Sequence, residues 1–137
     1  MALYMLDTNA VSAVMRGNPL MDERLFQLDP ADWCISAVTN SEICYELALR
    51  PDATTGIRAA DAFLAVATTL AWDAAAGAAH GRLRAQLRRA GAPIGDFDEM
   101  IAAHALSVGA VLVTDNERHF RRISGLPVEN WIPGTTS

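Results

Sequence analysis

A chain of 137 residues, 51% hydrophobic and 20% charged, has the size and composition of one globular domain and excludes a disordered or collagen-like protein. Two cysteines ten positions apart, Cys34 and Cys44, exclude a disulfide scaffold or a Cys-x-x-Cys metal site and read as small buried apolar residues. A net charge of -5 argues against a protein that coats phosphate backbones nonspecifically, yet leaves room for a nuclease whose carboxylates hold metal ions.

In chain order, Leu3 to Leu6 is a short apolar strand that runs into Asp7-Thr8-Asn9, followed by a brief helix from Ala10 to Met15 ended by Gly17-Asn18-Pro19. Pro19 opens a second helix that Asp29-Pro30 breaks, and Trp33 to Ala37 is the next strand. Helical spacing returns from Thr39 through Ile43, Leu47 and Ala48, and again from Ile57 to Ala67. Leu70 to Trp72 predicts a short strand, and the Ala- and Arg-rich run from Asp73 to Ala90 a helix stopped by Gly91. A helix from Gly95 to Val108, a buried strand from Ala110 to Thr114, a short helix from Glu117 to Ile123 and an edge strand from Val128 to Trp131 complete the chain.

This alternation predicts a single domain over 1–137, with residues 134–137 as a frayed tail. Its architecture is a three-layer α/β fold with a mainly parallel central sheet of about four or five strands flanked by helices. In such folds ligands bind beyond the carboxyl ends of the strands. No apolar stretch reaches the ~20 residues of a transmembrane helix, and the N-terminus lacks the basic and apolar regions of a secretory signal, so no membrane association and a cytoplasmic location are expected.

Several acids map to that rim: Asp7 after the first strand, Glu42 in the first turn of the helix after the second, and Asp98 opening the helix that precedes the strand ending at Thr114-Asp115-Asn116. Converging carboxylates suit Mg²⁺ or Mn²⁺, because several oxygen ligands share the cation's charge and relieve their mutual repulsion. Such an ion activates water and neutralises a phosphodiester. Each acid taken singly also has a structural explanation. Thr39-Asn40-Ser41-Glu42 and Thr114-Asp115-Asn116-Glu117 have the form of capping boxes, and Asp7 and Asp98 suit helix N-termini.

The segments Met5-Leu6-Asp7-Thr8-Asn9, Ile35 to Glu42 and Pro93 to Ala105, together with Val113-Thr114-Asp115-Asn116, Phe120 and Glu129-Asn130-Trp131, resemble in order and spacing the VapC-type toxins of the PIN-domain family. The likeness spans roughly residues 3 to 132. It implies a Mg²⁺- or Mn²⁺-dependent endoribonuclease that acts by metal-activated water and leaves a 5′-phosphate. Asp7, Glu42 and Asp98 are its acidic triad, with Thr8, Asn9 and Thr114 in support. The chain departs from many members at Asn116, where a fourth acid is usual. Asp115 beside it and Asp96 are further candidate metal contacts. The resemblance also implies an RNA substrate, a cognate antitoxin of the VapB type covering the acidic site, and a homodimer.

Arg82, Arg84, Arg88 and Arg89 form a basic helix surface where RNA phosphates could dock, set against a solvated helix face or a protein contact. His80, His104 and His119 have no zincin spacing and receive no catalytic role. The absence of any lysine argues against receiver domains and haloacid-dehalogenase-like phosphatases, which place one beside their phosphoryl group. The competing class is a catalytically weak PIN-fold protein that binds RNA or protein, for which Asn116 is the sequence hint.

Overall fold

In the computed structural model, which describes residues 2–133, the chain alternates strand and helix almost throughout. β1 (Tyr4–Leu6) leads directly into α1 (Thr8–Met15) and α2 (Pro19–Gln27). After β2 (Trp33–Ser36) come α3 (Ala37–Leu49) and α4 (Thr54–Val66). β3 (Thr69–Leu70) precedes α5 (Ala74–Arg89) and α6 (Asp96–Val108). β4 (Val111–Val113), α7 (Glu117–Phe120) and β5 (Val128–Glu129) close the fold. All paired strands are parallel, in the order β3-β2-β1-β4-β5. β1 is therefore central, in register with β2 through Met5 and Cys34 and with β4 through Met5 and Leu112.

Residue alternation along the strands divides the core into two layers. Met5, Cys34 and Leu112 face α5 and α6, where Leu83, Leu87, Ile101 and Ala102 meet them. Leu6, Ile35 and Val113 face the opposite way, toward α1, α2 and α4. A strand buried on both faces needs apolar side chains at both parities, which is why the three central strands read as unbroken apolar runs.

Several expected boundaries move. β3 lies at Thr69–Leu70 rather than Leu70 to Trp72, and β5 ends at Glu129, because each forms only two register pairs with its neighbour. Trp72 instead sets its ring edgewise against His80 and His104. α3 begins at Ala37, not Thr39, since Ser36 Oγ accepts from the Val38 backbone N–H and takes the capping position. Cys34 is buried as expected, and burial pushes its thiol up to about 12. Cys44, expected inside, is exposed, because α3 turns Ile43 and Leu47 inward and carries residue 44 outward. The predicted tail at 134–137 lies outside the described residues. Among the described residues no helix is long and apolar enough to cross a membrane.

Candidate active site

β1 sits between β2 and β4, and the chain goes to one side of it first and to the other side later. The crevice at its carboxyl end is therefore the switch point of the sheet, where open α/β folds place ligands. Asp7 occupies that point. Its backbone N–H donates to the Val113 carbonyl at 3.0 Å, extending the β1–β4 ladder. Its carboxylate accepts from the Ala10 N–H at 2.8 Å, so it is the cap of α1. Both explanations for this acid therefore hold at once: it caps a helix and stands at the ligand edge. It is 2% exposed, and its carboxyl is pushed up to about 7. Burial is the main cause, opposed by hydrogen bonds from Thr114 and Ala10 and reinforced by the charges of Asp115 and Asp98.

Asp98 reaches the same crevice from α6. Gly95, at φ +103, lets the chain turn sharply from Ile94 into the helix, and the acids at positions 96, 98 and 99 fall in its first turn, where the helix dipole favours negative charge. Asp98 is the third residue of α6 and is not its cap. His119, which the sequence reading left without a role, contacts it: the Nε2 atom lies 3.2 Å from Asp98 Oδ2 and 2.8 Å from the Ile94 carbonyl oxygen. Two acceptors around one ring nitrogen require that nitrogen to carry a proton and donate. Burial raises the Asp98 carboxyl from its ordinary value, and His119 partly offsets the shift. Glu99, a buried acid not singled out in the sequence, accepts from the Ile94 N–H at 3.3 Å and ties down the same loop. A buried carboxylate beside the exposed Asp96 and Phe97 carries no periodic signal that would have found it.

Glu42 approaches from α3. Because that helix starts at Ala37, Glu42 lies in its second turn rather than its first, and the capping box read from Thr39 to Glu42 does not form. Thr39 is fully buried inside the helix, and its hydroxyl has no hydrogen-bond partner among the described residues. The Glu42 carboxylate instead accepts from the Thr8 hydroxyl, which links α3 to the first residue of α1. Asn9 is exposed beside Thr8.

The second capping box fails as well. Asn116 caps α7 without a side-chain hydrogen bond, and its backbone N–H donates to Thr114 Oγ1 at 3.0 Å. That turn brings the charge of Asp115 to bear on Asp7. Asp96 is turned away: it is exposed and faces Arg84 at 3.8 Å. Of the basic helix surface on α5, Arg82, Arg88 and Arg89 are exposed, and Arg84 is half-buried against Asp96.

The donors around the crevice are all hard oxygens, and the central one is a buried carboxyl pushed toward neutrality by burial and by two neighbouring negative charges. A divalent cation would relieve that deficit, so the chemistry of the set fits Mg²⁺ or Mn²⁺. Among the described residues, no three His, Cys, Asp or Glu side chains stand close enough to share one ion. Asp98 is engaged by His119 through Oδ2 and Glu42 by Thr8 through Oε1, and both carboxylates must move toward Asp7 for a common ion to join the three.

Residues 4–126 match the PIN domain family. The tRNA(fMet)-specific endonuclease VapC of Shigella flexneri is 37% identical over 131 residues, covering 96% of this chain and 99% of that protein. Ribonuclease VapC2 of Haemophilus influenzae is 36% identical, covering 96% of this chain and the whole of that protein. Among solved structures, DNA-bound VapBC from Salmonella typhimurium superposes with a TM-score of 0.86 at 35% identity, covering 96% of this chain and 100% of the matched one. VapBC2 of Rickettsia felis, bound to a DNA fragment from its promoter, gives 0.88 at 29% identity, covering 95% and 99%.

Proposed function

The chain belongs to the PIN domain family, and from that premise we propose that it is a divalent-metal-dependent endoribonuclease, the toxin of a type II toxin–antitoxin pair. The observation that carries this reading is Asp7: a buried carboxylate at the sheet's switch point, held out of its ordinary ionisation range with two further carboxylates bearing on it. A structural cap has no need of such surroundings. Asp7, Asp98 and Glu42 would hold Mg²⁺ or Mn²⁺, with Asp115 and Asn116 beside them. The ion would supply charge neutralisation for the phosphodiester and activation of water.

The protein's own groups do the positioning. The Thr114 hydroxyl and the Ala10 N–H fix one carboxylate, His119 fixes the second and Thr8 the third. Water attacks phosphorus, the bond to the 3′ oxygen breaks, and the products are a 5′-phosphate and a 3′-hydroxyl. As in the matched VapBC structures, a VapB-type antitoxin is the proposed partner. A second copy of the chain is the further proposed partner, as a homodimer. Two apolar helix segments differ in what they could offer such contacts. Ala10, Val11 and Ala13 are core, whereas Tyr45 and Leu49 are exposed on α3.

The test combines cleavage with a readout independent of it. Partner-free protein is incubated with total bacterial RNA in Mn²⁺ or in EDTA, alongside Asp98→Asn, and new 5′ ends are mapped. Discrete metal-dependent cuts absent from the variant are expected. Mn²⁺ should also raise the Tm of the parent and not of the variant, because an ion bound only by the folded state stabilises it. Identical end maps in every sample would instead favour the weakly catalytic binding protein.

A further inference from the structure

A groove of about 550 Å³ opens between α1, α3 and the start of α4, and its inner end is formed by Thr8, Asn9 and Glu42, three residues of the candidate site. Its length carries Arg16 at the end of α1 and Arg50 at the end of α3. Their placement stands out against the charge around them. Residues 1 to 68 hold only four arginines against nine acids, and two of the four line this groove. Arg24, by contrast, is committed elsewhere, paired with Glu129 at 3.3 Å and stacked 4.7 Å over the Trp131 ring. Arg16 and Arg50 are both exposed, and neither is within ion-pair distance of an acid among the described residues. Two unpaired guanidinium groups along a channel that ends at a carboxylate site match a polyanion entering that site.

Resting on the ribonuclease reading above, we propose that this groove is the path of the RNA strand on one side of the scissile bond, with Arg16 and Arg50 as its phosphate anchors. The volume lies within the range of about 300–1,000 Å³ typical of small-ligand pockets, which accommodates a short run of single-stranded nucleotides and not a duplex. Ile43 and Leu47 supply an apolar floor from α3. Glu46 is the one acid of the outer groove; it repels phosphate and is suited to accept from the exocyclic amine of a base. The anchors thus lie away from α5, where the sequence places its densest run of arginines.

The experiment uses the full chain carrying Asp98→Asn, so that a labelled single-stranded oligoribonucleotide survives, and measures Kd across a salt series. Adding Arg16→Ala and Arg50→Ala together should weaken binding at least ~10-fold and make the salt slope shallower by about 1.4, at ~0.7 per lost phosphate contact. The double Arg→Lys variant should retain most of the affinity. Arg58→Ala, on the exposed side of α4, should change nothing, and all variants should keep the parent Tm. Unchanged affinity and slope in the double alanine variant overturn the groove while leaving the ribonuclease reading intact. A parent that neither binds nor cuts RNA overturns both. Variants that bind RNA normally but no longer co-purify with a co-expressed antitoxin assign the groove to protein, which also overturns the proposal.

Discussion

Along α6, residues Ile101 to Ala105 are packed almost free of solvent against α5 and the sheet, whereas the turn just before them carries Asp98 toward Asp7, with Glu99 buried against the Ile94 loop and Asp96 turned out to Arg84. One stretch gains stability from apolar burial, and the other spends some of it on charges that repel one another out of water. The difference teaches that this fold separates stability from chemistry within a single helix. The interior anchors the backbone, so that the first turn can hold Asp98 near the buried Asp7, a repulsion that the helix dipole only partly offsets.

The largest effect should fall on the packed stretch. Ile101→Ala removes a fully buried side chain and should cost about 3 kcal/mol in urea unfolding, with activity per folded molecule unchanged at temperatures where the variant is native. At the acidic turn the reverse is expected. Asp98→Asn should lower kcat/KM by at least ~10²-fold while thermal stability stays the same or rises. A parallel fall in Tm would mean that this acid is structural after all.

Asp7 gives a pH-dependent form of the same contrast. Its folded value of about 7 lies above the ordinary 3.8, so the native state binds this proton more tightly than the unfolded chain does. Between those two values its contribution to stability falls as pH rises, and above about 7 the full cost remains. Asp7→Asn keeps a capping acceptor for Ala10 and has no charge to bury. It should be more stable than the parent at pH 8, with the gain shrinking toward pH 4, while cleavage is lost. Equal stability of the two proteins across that range would refute the burial cost assigned to this carboxylate. The smallest effect is expected at His119, where alanine should lower kcat/KM by about 10-fold and raise the Mn²⁺ concentration needed for half-maximal activity, with partial recovery in His119→Gln.

Much of this was legible beforehand. The strand-helix alternation, the parallel sheet, the position of Asp7 and the first-turn placement of Asp98 follow from apolar runs, Gly and Pro punctuation and local helix chemistry, all short-range signals. The failures share a cause. The capping boxes at Thr39 and Thr114 follow from residue spacing alone, but Ser36 takes the capping position on α3, and the turn from β4 into α7 gives Thr114 a different partner. His119 carries no local signal of its role, because the acid it contacts is 21 positions away along the chain. Asp96, the weakest candidate ligand, proved to face Arg84.

By itself the sequence determined the fold class, the family and which carboxylates to watch, since each is written in local order: residue type, period and the spacing of motifs. Tertiary structure alone decided what those groups experience. Whether a carboxylate is hydrated or buried, which donor holds it, and that Arg16 and Arg50 border one groove while Arg24 is spent on Glu129 and Trp131, all depend on segments the sheet brings together from distant parts of the chain. Electrostatic energy depends on distance and on the surrounding medium, and neither is set until the strands are ordered.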